Sequence, residues 1–273
     1  MYPKVPGGFA AVLIVLLAVT AQAQTASASL GRSQDMEREF EFAPGGSLEL
    51  NNCRGQIEVS GWEESRVEIS VEKTVLGATD PALASQWLDK VRVEITREGN
   101  EIRVETVGGD KLPVEVNFWI KVPRRTDVEV KSGKSYVMLE QLEGDIEICV
   151  AEGSLLLQEL SGDLEFSLAN GPMLLERLRG SLISTTVNGN VQARLLGLDS
   201  SELRVINGKV TLGLPASAAV DLELSTQEGD IQIDPAFKVG RDNDRRLLAC
   251  KLNGGGSSVE VTSVRGQIIV EAL

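Results

Sequence analysis

Between Thr126 and Gly197 the chain holds one phase of nine residues. Gly144, Gly153, Gly162, Gly171, Gly180 and Gly189 are each nine apart, and Thr126 and Ser135 keep the same phase before them. The third residue of every unit is apolar: Val128, Val137, Ile146, Leu155, Leu164, Met173, Leu182 and Val191. The fifth is apolar at Val130, Leu139, Ile148, Leu157, Phe166, Leu175 and Ala193, with Ser184 the exception. A fixed short period predicts a repeat architecture, because one unit cannot bury its apolar face alone and must stack on its neighbours. Apolar residues two apart lie on one side of a β-strand, and the polar residues between them lie on the other. The unit therefore reads as a strand followed by a glycine corner. Asn-Gly pairs, as at Asn170-Gly171, Asn188-Gly189 and Asn207-Gly208, form turns. They also mark hairpins. Hairpins do not demand equal spacing of successive glycines, which favours a solenoid.

A longer period lies inside the first. The fourth residue alternates along Glu129, Met138, Glu147, Leu156, Glu165 and Leu174, and the second along Asp127, Tyr136, Asp145, Ser154, Asp163 and Pro172. The true repeat is thus eighteen residues, two strands per coil, with coils about 4.8 Å apart. The expected fold is all-β: a single-stack β-solenoid over residues 126–273, preceded by a β-rich part (47–125) with one short helix. One outward side carries an acidic ladder, Asp127, Glu129, Asp145, Glu147, Asp163 and Glu165. The other carries an apolar stripe, Met138, Leu156 and Leu174.

Residues 1–23 read as a secretory signal peptide, with Lys4, the apolar run Phe9 to Val19, and Ala21-Gln22-Ala23 as an A-x-A cleavage site. The run is short for a membrane span, and no cysteine stands at the cleavage point for a lipid anchor. Cleavage leaves 250 of the 273 residues, in the periplasm or outside the cell, with no transmembrane anchor. The net charge of −13 becomes −14 once Lys4 is gone. An acidic surface disfavours nucleic acid and anionic membrane as partners. Cys53, Cys149 and Cys250 allow at most one internal bridge in an oxidising compartment, or remain three free thiols.

Residues 24–46 read as a leader, with little structure up to residue 38 and alternation beginning at Phe40. Asp80 as N-cap and Pro81 as first helical residue predict the helix, ending near Lys90. Strands are expected at Val91 to Thr96, Ile102 to Thr106 and Val114 to Val122. After Gly197 the unit returns at Asn207-Gly208, Glu228-Gly229 and Arg265-Gly266, and an earlier copy stands at Arg54-Gly55. Residues 236–257, with Arg241, Arg245, Arg246 and Gly254-Gly255-Gly256, read as a loop insertion on the flank.

The opening Asn52-Cys53-Arg54-Gly55-Gln56-Ile57-Glu58-Val59 with Gly61-Trp62, the Val122-Pro123 before the repeats, the repeats themselves, and the closing Gly254-Gly255-Gly256 with Thr262 to Val270 occur in a characteristic order. From Leu48 to Leu273 the chain resembles the putative-adhesin β-strand-repeat family of exported bacterial proteins, a domain of unknown function. The resemblance implies a β-repeat fold and an envelope role. It carries over no catalytic residue.

With no histidine, Ser-His-Asp and Cys-His catalysis and histidine metal sites are excluded. Gly254-Gly256 lack a P-loop lysine, and nothing points to a cofactor. The acidic ladder is a weak cation candidate, since bridging a hard cation relieves stacked carboxylates. A screened, solvated acidic face is the favoured reading. The calcium-binding nonapeptide pattern needs more than one glycine per unit and fails here. The apolar stripe is expected to be covered by Leu48 to Val122, with a partner site as the other reading. Two functions remain. One is a non-enzymatic, adhesin-like envelope module that binds or scaffolds an unknown protein or polymer. The alternative is a polysaccharide-acting β-helix enzyme using surface carboxylates such as Asp145 and Glu147.

Overall fold

The structure, a computed structural model, describes residues 33–237, 239 and 246–273. The signal-peptide segment, the first part of the leader, Arg241 and Arg245 lie outside the described residues. The chain runs through β1 (Ser33–Glu41), β2 (Gly46–Trp62), β3 (Arg66–Val75), α1 (Pro81–Lys90), β4 (Arg92–Glu98), β5 (Glu101–Val107) and β6 (Val114–Pro123). It continues through β7 (Thr126–Glu140), β8 (Ile146–Gln158), β9 (Ser161–Asn170), β10 (Met173–Asn188) and β11 (Val191–Asn207). It closes with β12 (Val210–Leu214), β13 (Val220–Glu228), β14 (Ile231–Ile233), β15 (Leu247–Leu252), β16 (Ser257–Arg265) and β17 (Ile268–Ala272). The fold is nearly all-β, one large mixed sheet of 17 strands with a single short helix among the described residues.

The pairing follows the repeat. Val128 pairs in parallel with Ile146, Ile146 with Leu164, and Leu164 with Leu182, each eighteen residues on. Val137, Leu155, Met173 and Val191 do the same one half-unit later. Each eighteen-residue rung thus gives one strand segment to each of two ladders. The inward rows are buried, with Val130, Leu139, Leu157, Leu175 and Ala193 all 0% exposed. Each of these valine and leucine side chains contributes roughly 1.5–3 kcal/mol by leaving water. Leu142, Leu160 and Leu178, also eighteen apart, fill a corner column that the nine-residue reading missed. Ser184, the exception in the fifth position, is buried too, and its hydroxyl donates to Met173 Sδ at 3.2 Å.

The N-terminal part extends this stack. Ser47 to Asn51 pair with Asp127 to Lys131, and Gln56 to Ser60 with Tyr136 to Glu140. On the far side of β2 lie β5 and β6. Antiparallel strands finish this end: β4 beside β5, β3 beside β6, and β1 beside β3. The expectation that Leu48 to Val122 would cover the apolar stripe is therefore corrected. A chain that repeats the unit at Arg54-Gly55 adds a rung in register, because its backbone groups need ladder partners more than its side chains need a face. The leader reading also stops short, since Ser33–Glu41 is a strand. Its charged residues hid Met36, which sits opposite Val71 as Phe40 sits opposite Val67, both packed against the core.

The helix begins where expected. Asp80 Oδ1 accepts from the Ala82 amide at 2.9 Å, and Ala84 and Leu88 are buried. Lys73 Nζ, reaching from β3, donates to the Leu88 and Val91 carbonyls at 3.0 and 2.9 Å, satisfying the helix end. At the other end of the stack the order of rungs departs from the order of the chain. The β16–β17 rung lies between the β11–β12 rung and the β13–β14 rung. The insertion read as a loop holds β15, antiparallel to β13, with Leu248 and Leu252 buried.

Candidate functional site

Two outward faces follow from the alternation. On the first, Asp127, Glu129, Asp145, Glu147, Asp163 and Glu165 line one open groove of about 580 Å³. The ladder is longer than the repeat alone indicated. Glu49 of β2 stacks on Glu129, and Glu101 of β5 stands beside Ser47. Glu49 was legible, lying nine residues before Glu58 in the phase of Arg54-Gly55. Glu101 was not, since it arrives through a hairpin. The ladder ends at Ser181 and Ile183, the latter 48% exposed.

Several of these carboxylates are tied down. Asp127 Oδ1 accepts the Asp145 amide at 2.9 Å, and Asp163 Oδ1 accepts the Ser181 hydroxyl at 2.6 Å. Glu49 pairs with Arg103 at 2.7 Å and accepts from Asn51 at 2.9 Å. Lys131 donates to Glu129, and that bond, with the charges of Glu129, Glu147 and Glu49, holds the ammonium above the ordinary lysine range. Glu147 and Glu165 form no hydrogen bond or ion pair among the described residues. Neither do the carboxylates of Asp145 and Glu101, so the face is an acidic surface with four free carboxylates among the described residues. Among the described residues no three Cys, Asp or Glu side chains are placed to hold a metal ion. Asp145, the residue before β8, and Glu147 within it line the same groove.

The second face carries the stripe. Met138 stacks on Leu156, and Leu156 on Leu174. The row continues upward through Glu58 to Trp119 and onward to Gln192. Met138, Leu156 and Leu174 are half-buried, while Trp119 and Tyr136 are each 38% exposed. A groove of about 440 Å³ follows the stripe between Tyr136, Leu156, Pro172 and Leu174, reaching Lys209. Burial, and after it the Glu58 charge, raises the Tyr136 hydroxyl above its usual range. The flank is a polar network in which Glu176 accepts from Gln158 at 3.2 Å and Arg194 at 2.8 Å. Trp119 was missed because it precedes the strict repeat; its place in the row appears only through the β2–β6 pairing.

All three thiols are free. Cys149 is exposed on the acidic face between Lys131 and Ser167, while Cys53 and Cys250 are partly buried. Burial, and after it Asp110, raises the Cys53 thiol, and burial alone raises Cys250, so both hold less of the reactive thiolate. Among the described residues no helix is long and apolar enough to cross a membrane.

No family model and no curated protein matches the chain. Solved structures do. One is a putative cell adhesion protein from Clostridium sporogenes, 13% identical, covering 88% of this chain and 100% of that one, at a TM-score of 0.38. A putative adhesin from Bacteroides fragilis is 11% identical over 88% of this chain and 97% of its own, at 0.41. A putative lipid binding protein from Parabacteroides distasonis is 9% identical over 88% and 95%, at 0.33. The chain is similar to each of these across most of its length, at identities too low to transfer a ligand or an activity.

Proposed function

We propose that this chain is an exported, non-enzymatic β-solenoid, two strands to each eighteen-residue coil, that binds or scaffolds an envelope protein or polymer along its side. Export rests on the apolar run and A-x-A site in residues 1–23. The solenoid reading rests on the constant offset of eighteen residues from β7 to β10. One observation carries the binding role: Met138, Leu156 and Leu174 stack as an apolar strip beside an open groove, with exposed Trp119 one rung beyond Glu58. A contiguous apolar strip rimmed by polar residues marks an interaction surface. The acidic face opposes unwanted association, as charged sheet surfaces do. The enzyme alternative asks for carboxylates flanking the scissile bond, whereas Asp145 and Glu147, two residues apart in sequence, line the same side of one groove.

The test is binding of the chain from Gln24 onward to immobilised envelope polysaccharides and envelope membrane proteins. Leu156→Lys and Leu174→Lys are expected to weaken binding about tenfold or more. Glu147→Lys and Glu165→Lys are expected to leave it unchanged. Binding that survives both leucine changes would move the site off the stripe. Release of new reducing sugar ends, abolished by Glu147→Gln, would make the protein an enzyme instead.

A further inference from the structure

The chain contains four Asn-Gly pairs: Asn170-Gly171, Asn188-Gly189, Asn207-Gly208 and Asn253-Gly254. In such a pair the glycine nitrogen can attack the asparagine Cγ, because no Cβ on the glycine obstructs the approach. A C–N bond forms and closes a succinimide. The side-chain nitrogen leaves as ammonia, taking the proton that the glycine nitrogen gives up. Solvent water then opens the ring to aspartate or isoaspartate. Local sequence is nearly the same at all four sites, so structure decides which reacts.

At three pairs the nucleophile is engaged. The Gly171 amide donates to Asn188 O at 2.8 Å, Gly189 to Asn207 O at 2.9 Å, and Gly208 to Arg265 O at 2.9 Å. Their asparagines form a ladder, with Asn188 Nδ2 donating to Asn170 Oδ1 at 2.8 Å and Asn207 Nδ2 to Asn188 Oδ1 at 2.7 Å. Asn253 differs. It is exposed, has a φ of 50°, and precedes Gly254 and Gly255 at 93° and 83°. The Gly254 amide makes no hydrogen bond among the described residues, and nothing lies within 4 Å of its Cβ position. Asn253 Nδ2 donates to the Ala216 and Ala218 carbonyls at 3.0 and 2.8 Å.

We propose that Asn253 is the site of spontaneous deamidation in this protein, and that its conversion releases the loop of residues 215–219. A carboxylate accepts only, so it would meet the Ala216 and Ala218 carbonyls with no proton to share. That loop borders an apolar seam of about 230 Å³ lined by Leu195, Leu214, Val220 and Val259. Loss of its two bonds exposes the seam.

Mature protein incubated at mildly alkaline pH and followed by peptide mass mapping tests the first part. Asn253 should convert about tenfold faster than Asn170, Asn188 or Asn207, the factor that one engaged hydrogen bond supplies. In denaturant the four rates should converge. Equal rates in the folded chain would overturn the proposal, as would an Asn253 that stays intact when folded and converts only when unfolded. Asn253→Asp tests the second part through amide exchange at Ala218, whose N–H donates to Pro215 O at 2.8 Å. Faster exchange there, absent in Asn188→Asp, is expected; unchanged exchange would mean that the loop does not depend on Asn253.

Discussion

A methyl group placed on Gly171 would sit 1.6 Å from the carbonyl oxygen of Gly153 one rung away, and one on Gly189 would sit 1.7 Å from that of Gly171. The corner glycines are therefore demanded by close approach between rungs as much as by backbone angle. The column continues through Gly208, Gly266 and Gly229, each 1.8–2.1 Å from its neighbour's carbonyl by the same measure. Gly171→Ala combines that clash with a φ of 137°. It is expected to cost at least about 3 kcal/mol in denaturant unfolding. Gly197, with nothing within 4 Å, provides the comparison: Gly197→Ala should change stability by less than about 0.5 kcal/mol. Equal midpoints for the two variants would contradict the packed corner. Elsewhere the interior is less complete. The hydroxyls of Thr186, Ser201 and Ser263 are buried without partners among the described residues, each costing roughly 1–3 kcal/mol.

The ladders set the electrostatics of whole elements. Glu129, Glu147 and Glu165 stand one rung apart on β7, β8 and β9, and like charges so placed repel by roughly 0.2–1 kcal/mol a pair. Glu147→Lys turns two repulsions into two attractions. It should stabilise the chain by up to about 1 kcal/mol at low salt, and molar salt should remove most of the gain. A gain that salt leaves untouched would trace to packing rather than charge. The end strands use charge differently. β1 carries Asp35, Glu37, Arg38, Glu39 and Glu41, while its inward Met36 and Phe40 hold it on β3. A charged outer strand discourages pairing with another chain.

Across the whole molecule both ends of the stack break chain order. Residues 101–123 lie outside residues 46–62, and residues 257–272 lie inside residues 220–233. A simple repeat array loses its last unit without harm to the rest. Here removal of residues 257–273 takes away the parallel partner of β13 and the only described partner of β14, leaving β11 and β12 open on the same side. The shortened chain keeps β15 beside residues 220–226, so it should lose amide-exchange protection across residues 227–233 and bind a hydrophobic dye. Protection that persisted there would show that β13 and β14 stack directly on β11 and β12.

The nine-residue phase alone was enough to say which side chains of residues 126–197 face inward, because period two within a strand and one glycine per corner leave a single way to bury Val128, Ile146, Leu164 and their fellows. It was enough also to put the acidic and apolar rows in separate ladders, since successive strand segments of an eighteen-residue unit pair in different columns. The helix at Pro81–Lys90 was legible in its cap. The order of rungs was not. Arg54-Gly55, Glu228-Gly229 and Arg265-Gly266 open the same local pattern and fit any place in the stack. Which edge each one pairs with is decided by contacts far apart in sequence, and those put Gly266 between Gly208 and Gly229. The same contacts brought Glu101 to the acidic groove and Trp119 to the apolar row, and kept residues 48–122 from lying over the stripe. Local pattern sets inside and outside, because it depends on one strand's geometry. Neighbourhood is set by tertiary pairing, because every strand edge accepts any strand with free amides and carbonyls.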